Sequence, residues 1–370
     1  MKAQWYSIAA AVALSVAAQA HDGNFNQPRA VFVMTNDADS NEIISYQRNQ
    51  YGTLFAPHHF RTGGRGSGGK GDPLSSQGSL TLSDDHQWLF AVNAGSGTLS
   101  VFRVEGASLS LTDQIATGGA EPTAVTQHGN LVYVLNAAAS SSVTGFVFHN
   151  GNLRELPDSE RTLSANLVNP GSVDFSADGK FLFATEKAGN NIDSFAVLPN
   201  GTLSDIHTRA SAGPGAFAAV SAPNGTVLVS ETGSGGTTSA LSSYHIQPDG
   251  TLAVVTASVP TLGAANCWNA VTPNGRFIYV SNAGSSTISG FAIGNGGALT
   301  PVPGTVVGTN PAGSGNLDIA VSADGQYLYT LNSAGGTLGT FGINADGSLT
   351  NLGTTSGLPK GSSLNGIAAN

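Results

Sequence analysis

Short apolar strands recur along almost the whole chain at a regular interval. One strand that ends in a polar residue occurs seven times, at residues 33–36, 90–93, 133–136, 183–186, 228–231, 279–282 and 329–332. After each copy come a Gly- and Ser-rich turn, a strand with an aromatic residue, and a further strand that begins at a leucine. Short strands repeated in this way predict an all-β repeat architecture.

A fourth strand lies between successive repeats and ends at a tight turn. In two repeats this turn contains Asp178-Gly179 and Asp324-Gly325, and Asp-Gly is a dipeptide that favours two-residue hairpin turns. Four short strands about every 50 residues predict one blade of a β-propeller. The seven copies therefore predict an all-β fold, a seven-bladed β-propeller.

The two ends of this repeat array complement each other. Residues 30–36 have the pattern of a second strand with no first strand before it, whereas residues 363–369 have the pattern of a first strand with no blade after it. Pairing of the C-terminal strand with the first blade would close the ring and remove two exposed sheet edges. We therefore expect residues 21–370 to form a single propeller domain, with the Gly-rich basic segment 56–76 as a loop insertion.

The N-terminus and the composition indicate where the protein works. Residues 1–20 combine Lys2, an apolar stretch and Ala18-Gln19-Ala20, which is typical of a signal peptide, so we expect a secreted or periplasmic protein. No later segment approaches about 18 uninterrupted apolar residues, so no membrane span is expected. The formal net charge of −9 argues against nucleic-acid binding. The single cysteine, Cys267, cannot form an internal disulfide.

Several segments resemble a known family. The Tyr-Val-x-Asn strands, the Ser-x-Asp-Gly turns and four stretches are similar to those of the seven-bladed lactonase propellers; the stretches are residues 62–66, 76–80, 185–187 and 267–268. This group contains 6-phosphogluconolactonase and the 3-carboxymuconate lactonising enzymes, and the chain most resembles exported members of the YVTN type. The resemblance spans the mature chain and implies a propeller fold and hydrolysis of a small lactone, although propellers host many functions.

The polar residue that ends each recurring strand is Asn in five copies and Glu in two. An Asn that leaves a strand into a Gly-rich turn bonds its own backbone, so this column is mainly structural. Glu186 and Glu231 replace Asn in adjacent repeats, and Lys187 follows the first. The two glutamates are either solvated loop carboxylates or carboxylates at the channel rim, where desolvation raises the pKa towards that of a general base. We take Glu186, Glu231 and Lys187 as candidate catalytic residues, with Lys187 holding a substrate anion.

Two segments depart from the pattern that the resemblance implies. Pro170-Gly171-Ser172 stands where the family has Pro-Arg-His, and Asn282-Ala283 stands where it has Asn-Arg. The Arg and His that would clamp an acidic substrate and move protons are missing at both places. Either the activity is lost, or a different set of residues acts on a less acidic substrate.

Further polar residues are expected on the innermost strands, which line the channel of a propeller. They are candidate substrate-binding residues because ligands of propellers usually bind at one end of this channel. An indole face pairs well with a sugar ring, although core packing between blades is the alternative for Trp268. The candidates are Gln77, Trp268, Asn269, Asn316 and Asp318.

The segment 56–76 is the longest connection of the chain. As a basic lid it would offer Arg61 and Arg65 to an anionic group, and a plain flexible insertion is the alternative. Residues 64–70 match G-x-x-x-x-G-K, but Gly71 stands where a nucleotide-binding loop needs Ser or Thr. We expect no cofactor and no metal.

Two functions are compatible with these patterns. The first is an exported lactonase-like propeller that hydrolyses a small lactone by means of a carboxylate-activated water. The second is a non-catalytic propeller that binds a glycan, a peptide or a cell-surface partner. The expected ligand is a small lactone or a carbohydrate, and a self-closed ring leads us to expect a monomer.

Overall fold

The computed structural model describes residues 29–370, which form seven antiparallel sheets. The expected signal peptide at residues 1–20 lies outside the described residues. Each sheet is one blade of four strands, and the third blade carries one additional short strand. The prediction of an all-β, seven-bladed propeller is therefore confirmed. Within the described range, no helix is long and apolar enough to cross a membrane.

The strands are numbered in chain order, and a short 3-10 helix at Ser234–Gly236 precedes β19. They are β1 (Arg29–Met34), β2 (Glu42–Arg48), β3 (Leu54–Arg61), β4 (Leu80–Leu82), β5 (Trp88–Asn93), β6 (Thr98–Glu105), β7 (Ser108–Ala116), β8 (Ala120–His128), β9 (Leu131–Ala138), β10 (Ser142–His149), β11 (Asn152–Glu155), β12 (Arg161–Thr162), β13 (Pro170–Phe175), β14 (Phe181–Glu186), β15 (Asn191–Ala196), β16 (His207–Ala210), β17 (Ala216–Ser221), β18 (Thr226–Glu231), β19 (Ala240–Ile246), β20 (Leu252–Pro260), β21 (Asn266–Val271), β22 (Phe277–Asn282), β23 (Thr287–Ile293), β24 (Leu299–Thr309), β25 (Asn316–Val321), β26 (Tyr327–Asn332), β27 (Thr337–Ile343), β28 (Leu349–Ser356) and β29 (Ile367–Ala369).

From the channel outwards, the first blade has the order β29-β1-β2-β3 and the second has β4-β5-β6-β7. The third blade has β8-β9-β10-β11 with β12 also paired to β10, and blades four to seven take β13 to β28 in groups of four. The innermost strands β29, β4, β8, β13, β17, β21 and β25 contact one another in that order around the ring. They therefore form the wall of a central channel.

Burial falls from the inside of each blade to the outside. The second strands, such as β5 and β22, are almost fully buried because both faces pack against neighbouring blades, whereas the outermost strand β16 is exposed along its length. Tyrosines on second strands also bond the next blade: the Tyr133 hydroxyl donates to the carbonyl of Gly201 at 2.8 Å, and that of Tyr279 to Gly347 at 2.9 Å. Apolar contact and these bonds hold adjacent blades together.

The C-terminal strand closes the ring, as the sequence predicts. Strand β29 pairs antiparallel with β1, with Ile367 opposite Val33. The first and seventh blades are also joined by a buried ion pair, in which Arg48 Nη2 lies 3.1 Å from Asp324 Oδ2. Arg29 forms a second ion pair with the same carboxylate.

Two details differ from the sequence prediction. The expected insertion at 56–76 begins later, because β3 continues to Arg61 and pairs with β2. In the first blade the residue that aligns with the Asn column is Thr35 and not Asn36. The Thr35 backbone N–H donates to the carbonyl of Glu42, the first residue of β2. In the second blade Asn93 likewise pairs with Thr98, the first residue of β6. The longer turn after β1 moves Asn36 out of this position.

Candidate active site at the mouth of the central channel

One end of the channel, which we call the mouth, gathers the starts of the innermost strands and the ends of the second strands. This follows from the antiparallel register, in which Pro170 lies opposite Glu186 and Asn316 lies opposite Asn332. The connection from β3 to β4 runs over this end. Its residues 72–78, which we call the strap, lie across the channel.

The innermost strands are irregular at the mouth. A register shift leaves Thr123 out of the pairing in β8, Gly171 in β13, Cys267 in β21 and Asp318 in β25. Bulges of this kind redirect a side chain and are frequent beside binding sites. Asp318 adopts a left-handed backbone conformation there, with φ of 62°. The repeated bulges give the mouth a set of side chains that strand alternation alone would not place there.

The strap is fixed to opposite sides of the channel. The Trp268 indole Nε1 donates to the Ser76 carbonyl at 3.0 Å, and the Asn269 backbone N–H donates to Gln77 Oε1 at 2.8 Å. On the fourth blade, the Gln77 backbone N–H donates to the Gly171 carbonyl at 2.8 Å. Gln77, Trp268 and Asn269, which the sequence indicates as channel residues, are thus brought together at the mouth.

Lys187 and Asp72 lie beside the strap. The Lys187 ammonium donates to the carbonyl of Ser75 and, at 2.8 Å, to its hydroxyl, and it lies 4.7 Å above the centre of the Phe217 ring. Asp72 Oδ1 accepts from the Ser75 backbone N–H at 2.9 Å and from Asn365 Nδ2 at 3.1 Å. The mouth therefore holds a carboxylate and an ammonium of opposite charge on neighbouring segments.

Burial shifts the pKa values of the groups at the mouth towards neutrality. It raises the pKa of Asp72 to about 6, against the opposing effect of the Lys187 charge. It lowers the pKa of Lys187 to about 8, against the opposing effect of Asp72. Burial also raises the pKa of Asp318 to about 7, and it raises the pKa of the Cys267 thiol. At pH 7 Asp72 is mostly ionised and Lys187 is mostly protonated.

Glu186 ends β14, but its carboxylate bonds to the connection before β13 and to β15 and not to the strap. Its carboxylate accepts from the Ser164 backbone N–H at 2.8 Å, from the Ser164 hydroxyl at 2.6 Å and from Asn191 Nδ2 at 3.0 Å. Burial acts to raise its pKa, but hydrogen bonds from Asp193, Ser164 and Asn191 outweigh burial and the pKa is lowered. The pKa of Glu186 is thus shifted in the direction opposite to the expected one, and its position at the channel rim stays a prediction.

Asp193 is the protonated partner of Glu186. Burial, and then the hydrogen bond to Glu186, raise the pKa of Asp193 to about 8, so this carboxyl stays protonated and its O–H donates a hydrogen bond to the Glu186 carboxylate. The two acids share one proton because two buried carboxylates side by side would repel each other.

Glu231 is likewise fully buried and bonded between strands. Its Oε1 accepts from the hydroxyls of Ser211 and Ser242 at 2.8 Å and from the backbone N–H of Gly213 at 2.7 Å. Its Oε2 accepts from the Ser258 hydroxyl at 2.5 Å. The two glutamates thus take the structural place of the Asn column, and neither faces the mouth. A catalytic role for them stays a prediction that this placement does not favour.

The two arginines lie away from the strap, and Asn316, at the start of β25, bonds to the sixth blade and not to the strap. Arg61 is exposed at the end of the outermost strand β3, with Nε 3.7 Å from Glu42 Oε1. Arg65 is exposed where the connection passes the tip of the second blade, and its carbonyl accepts from the Gly95 backbone N–H. Asn316 Nδ2 donates to the Ser281 hydroxyl at 2.6 Å and joins blades six and seven.

Asp318 and two further residues complete the mouth. Asp318 is buried and accepts from the backbone N–H groups of Ile319 at 2.9 Å and Ile367 at 3.0 Å. Sequence reasoning missed Asp72 and Asn365 altogether. Asp72 lies on no recurring strand, so only the unusual length of the connection to β4 signals it. Asn365 falls within the expected closing segment 363–369 but precedes β29, and nothing in the repeat pattern marks its side chain. Among residues 29–370, no three His, Cys, Asp or Glu side chains are grouped to hold a metal.

The ring of seven four-stranded blades places this protein in the class of seven-bladed β-propellers. Its candidate site lies at one end of the central channel. The family model for the seven-bladed β-propeller lactonases matches residues 39–169, 214–311 and 268–369. The chain belongs to this lactonase family.

Solved structures share the fold. A candidate 6-phosphogluconolactonase from Bacteroides uniformis is 20% identical, with a TM-score of 0.68 over 93% of this chain and 100% of that one. The periplasmic gluconolactonase of Pseudomonas aeruginosa is 19% identical, with a TM-score of 0.68 over 91% of this chain and 99% of that one. A protein of unknown function from Desulfotomaculum acetoxidans is 13% identical, with a TM-score of 0.67 over 91% of this chain and 99% of that one. A search of curated protein sequences finds no match.

Proposed function

We propose that this protein is an exported lactone hydrolase whose reaction takes place at the mouth, with Asp72 as general base and Lys187 as the group that stabilises the oxyanion. The observation that carries the proposal is the Asp72 and Lys187 pair beside the strap, where burial shifts both pKa values towards neutrality. Shifted groups of complementary function in one cleft are typical of catalytic sites. The family supports the reaction class.

The chemistry requires only groups that the mouth provides. Both hydrogen bonds to Asp72 go to Oδ1, so Oδ2 is available to take a proton from water. The water oxygen then attacks the lactone carbonyl carbon, and the carbonyl oxygen becomes an oxyanion. Lys187 uses two N–H groups on Ser75 and has a third for this oxygen. Collapse breaks the ring C–O bond, and Asp72 returns its proton to the leaving alkoxide.

The departures from the family pattern indicate a neutral substrate. Gly171 and Ala283 offer no cation where the family resemblance implies arginines. Arg61 and Arg65 lie away from Lys187, so the mouth has one cation and at least two acidic groups, Asp72 and Asp318. A phosphorylated or carboxylated lactone would be repelled by these acids. We therefore assign a neutral sugar lactone or aliphatic lactone as the substrate class. The signal-like residues 1–20 and the periplasmic gluconolactonase among the similar structures support export.

A lactone panel assayed over pH tests this proposal. The panel contains D-glucono-1,5-lactone, γ-butyrolactone and 6-phosphogluconolactone, and each rate is corrected for buffer hydrolysis. We expect a bell-shaped kcat/KM profile, because Asp72 must be ionised above about pH 6 and Lys187 protonated below about pH 8. Asp72→Asn and Lys187→Met should each lower kcat/KM by about 100-fold or more.

Glu186→Gln and Glu231→Gln are the matched controls, because they remove a buried carboxylate away from the mouth. They should retain the wild-type kcat/KM wherever the protein is folded. If the controls lose activity and Asp72→Asn keeps it, the sequence-derived hypothesis of a glutamate base is right and the present assignment is wrong.

A non-catalytic binding propeller is the second candidate function. It is favoured by the strap, whose oxygens already accept hydrogen bonds from Trp268, Asn269 and Lys187 at the mouth. If the wild type hydrolyses no lactone faster than buffer, this second function replaces the first. Binding of a glycan or peptide would then be measured by calorimetry.

A further inference from the structure

The seam between the first and seventh blades differs from the six other blade junctions. In six blades an Asn or Glu lies at or near the end of the second strand. Its side chain lies next to the connection that leads into that blade. Asn93, for example, accepts from Thr62 of the connection and donates to Ser100 at 2.8 Å, and Glu186 and Glu231 make the corresponding bonds in their blades. In the first blade this position holds Thr35, whose side chain is shorter than that of Asn or Glu.

The connection itself changes at the same place. Its first residue is marked by a backbone N–H bond to the preceding blade, made by Thr62 to Asn41 and, at the seam, by Leu358 to Gly336. The third residue of the connection is Gly or Ala at the six other junctions, at residues 64, 119, 165, 213, 263 and 312. A Cβ at Gly64 would lie 2.4 Å from the Asn93 side chain, and one at Gly263 would lie 2.2 Å from that of Asn282. The seam has Lys360 at this position, which the short Thr35 permits.

A cavity of about 280 Å³ lies beside Thr35. Its wall consists of the turn after β1, the outer strand residue His59 and the connection to the closing strand. At about 30 Å³ for each water, it has room for roughly nine waters or one sugar ring. The lining residues are Thr35, Asp37, Ser40, Glu42, Ile44, His59, Pro359, Ser362 and Ser363.

The lining is rich in hydrogen-bond acceptors. The Ser363 hydroxyl donates to the Thr35 carbonyl at 2.9 Å, and the Ser362 hydroxyl donates to the Pro359 carbonyl at 3.1 Å, so both oxygens are left to accept. The bonds of Asp37 within the described residues go to Oδ1 and leave Oδ2 to accept. A ligand that fits must therefore present several donors.

The charges at the seam favour a neutral ligand. Glu42 is already paired, with Oε2 3.1 Å from His59 Nδ1 and Oε1 3.7 Å from Arg61 Nε. The remaining acid of the lining, Asp37, is exposed, where water screens its charge. Hydroxyl groups on a ring satisfy such acceptors, and Ile44 and Pro359 offer apolar contact to the ring carbons.

We propose that this cavity, which we call the seam site, binds a neutral monosaccharide or cyclic polyol whose hydroxyls replace the polar side chain found at the other six junctions. Residues 359–363 belong to the connection that leads to the closing strand β29. A bound sugar bridges this connection to the turn after β1, so it stabilises the closure of the ring. The seam site does not involve Asp72 or Lys187 and does not depend on lactone hydrolysis.

Ligand-observed NMR and calorimetry with D-glucose, D-galactose, D-mannose and myo-inositol test the proposal on the full chain. The double variant Thr35→Asn/Lys360→Gly restores the side chain and the glycine of the other junctions, so it places an amide at the wall of the cavity that competes with a sugar for the same polar groups. Lys360→Gly alone is the matched control, because it leaves the cavity open. We expect at least one sugar to bind the wild type and the control, and to bind the double variant at least tenfold more weakly.

Thermal unfolding gives a second readout. At a free sugar concentration of about 100 times the wild-type Kd, binding should raise the Tm of the wild type by about 2 °C more than that of a tenfold weaker double variant, and by about 4 °C more if that variant does not bind, after the general effect of sugars on stability cancels. If the double variant does not fold, Asp37→Asn should weaken binding at least tenfold, because its Oδ1 can keep the turn bonds while an NH2 group replaces the Oδ2 acceptor.

Four results would overturn the seam site. The first is equal binding by the wild type and the folded double variant, the second is binding confined to the cationic D-glucosamine, and the third is loss of binding in Asp72→Asn, which would move the sugar to the mouth. Absence of binding by all four ligands would overturn it as well. None of these results depends on whether lactones are hydrolysed, so the two proposals fail separately.

Discussion

Replacing Glu231 by Gln separates a structural carboxylate from a catalytic one. The carboxylate of Glu231 accepts four hydrogen bonds, three at Oε1 and one at Oε2, and its side chain is fully buried. Glutamine has the same shape but carries one oxygen and no charge. Its oxygen can face the three donors, while its NH2 group then faces the Ser258 hydroxyl, which must stop donating.

The size of the effect follows from these bonds. A hydrogen bond to a charged group contributes about 1 kcal/mol more than a neutral one, so three weakened bonds and one lost bond cost about 3–5 kcal/mol. Removing the charge returns part of the desolvation penalty of a buried carboxylate. We expect a net loss of about 1–3 kcal/mol in the free energy of unfolding, which lowers Tm by about 1–4 °C in a domain of this size.

Calorimetry and urea unfolding measure this loss, and kcat/KM on the lactone panel should stay within about twofold of the wild type. Glu105→Gln is the matched control, because Glu105 is exposed at the end of β6. A Glu231→Gln protein with unchanged Tm and strongly reduced kcat/KM would refute the structural reading and restore Glu231 as the base.

The remaining predictions concern the seam and the acid pair. Asp324→Asn removes the carboxylate partner of the fully buried Arg48, which also donates to the Asn370 carbonyl, and should cost about 3–5 kcal/mol, measured by urea unfolding; an unchanged midpoint would show that the carbonyl and the amide suffice. Because the pKa of Asp193 is raised on folding, its stabilising contribution is present below about pH 4 and is lost as pH rises through about 8. Tm should therefore fall between pH 6 and pH 9, and Asp193→Asn should reduce that fall; an equal fall in both proteins would contradict the shared proton.

The strand pattern is local information, so the sequence predicts it well. Alternating burial within each short strand and the turn residues between strands are set by residues close together in the chain, and they give seven blades and the closing strand. The sequence also predicts the column of Asn and Glu residues at the ends of the second strands. It does not predict which residue of the first blade aligns with that column. A longer turn after β1 moves Asn36 away and puts Thr35 in its place, and only pairing with Glu42 reveals this.

The candidate site was predicted only where it lies on the repeat. Trp268, Asn269, Gln77 and Asp318 follow from their positions on or just before innermost strands, and all are found at the mouth. Glu186 and Glu231 interrupt the column of Asn residues, which makes them candidates for catalysis. A carboxylate can nevertheless replace an amide wherever enough hydrogen-bond donors surround it. Here donors such as the Ser164 and Ser211 hydroxyls come from neighbouring connections.

The sequence by itself determined the number of blades, the order of their strands and the closure of the ring, because the same local strand pattern occurs seven times along the chain. The tertiary structure decided which polar groups meet. Asp72 contacts Asn365, Lys187 contacts Ser75, and Thr35 leaves a cavity against the chain near Ser363. These residues are far apart in sequence, and closing the ring brings them together, so no local pattern specifies the contacts. The arrangement of polar groups at the mouth and at the seam therefore depends on how residues that depart from the repeat pack together in the tertiary structure.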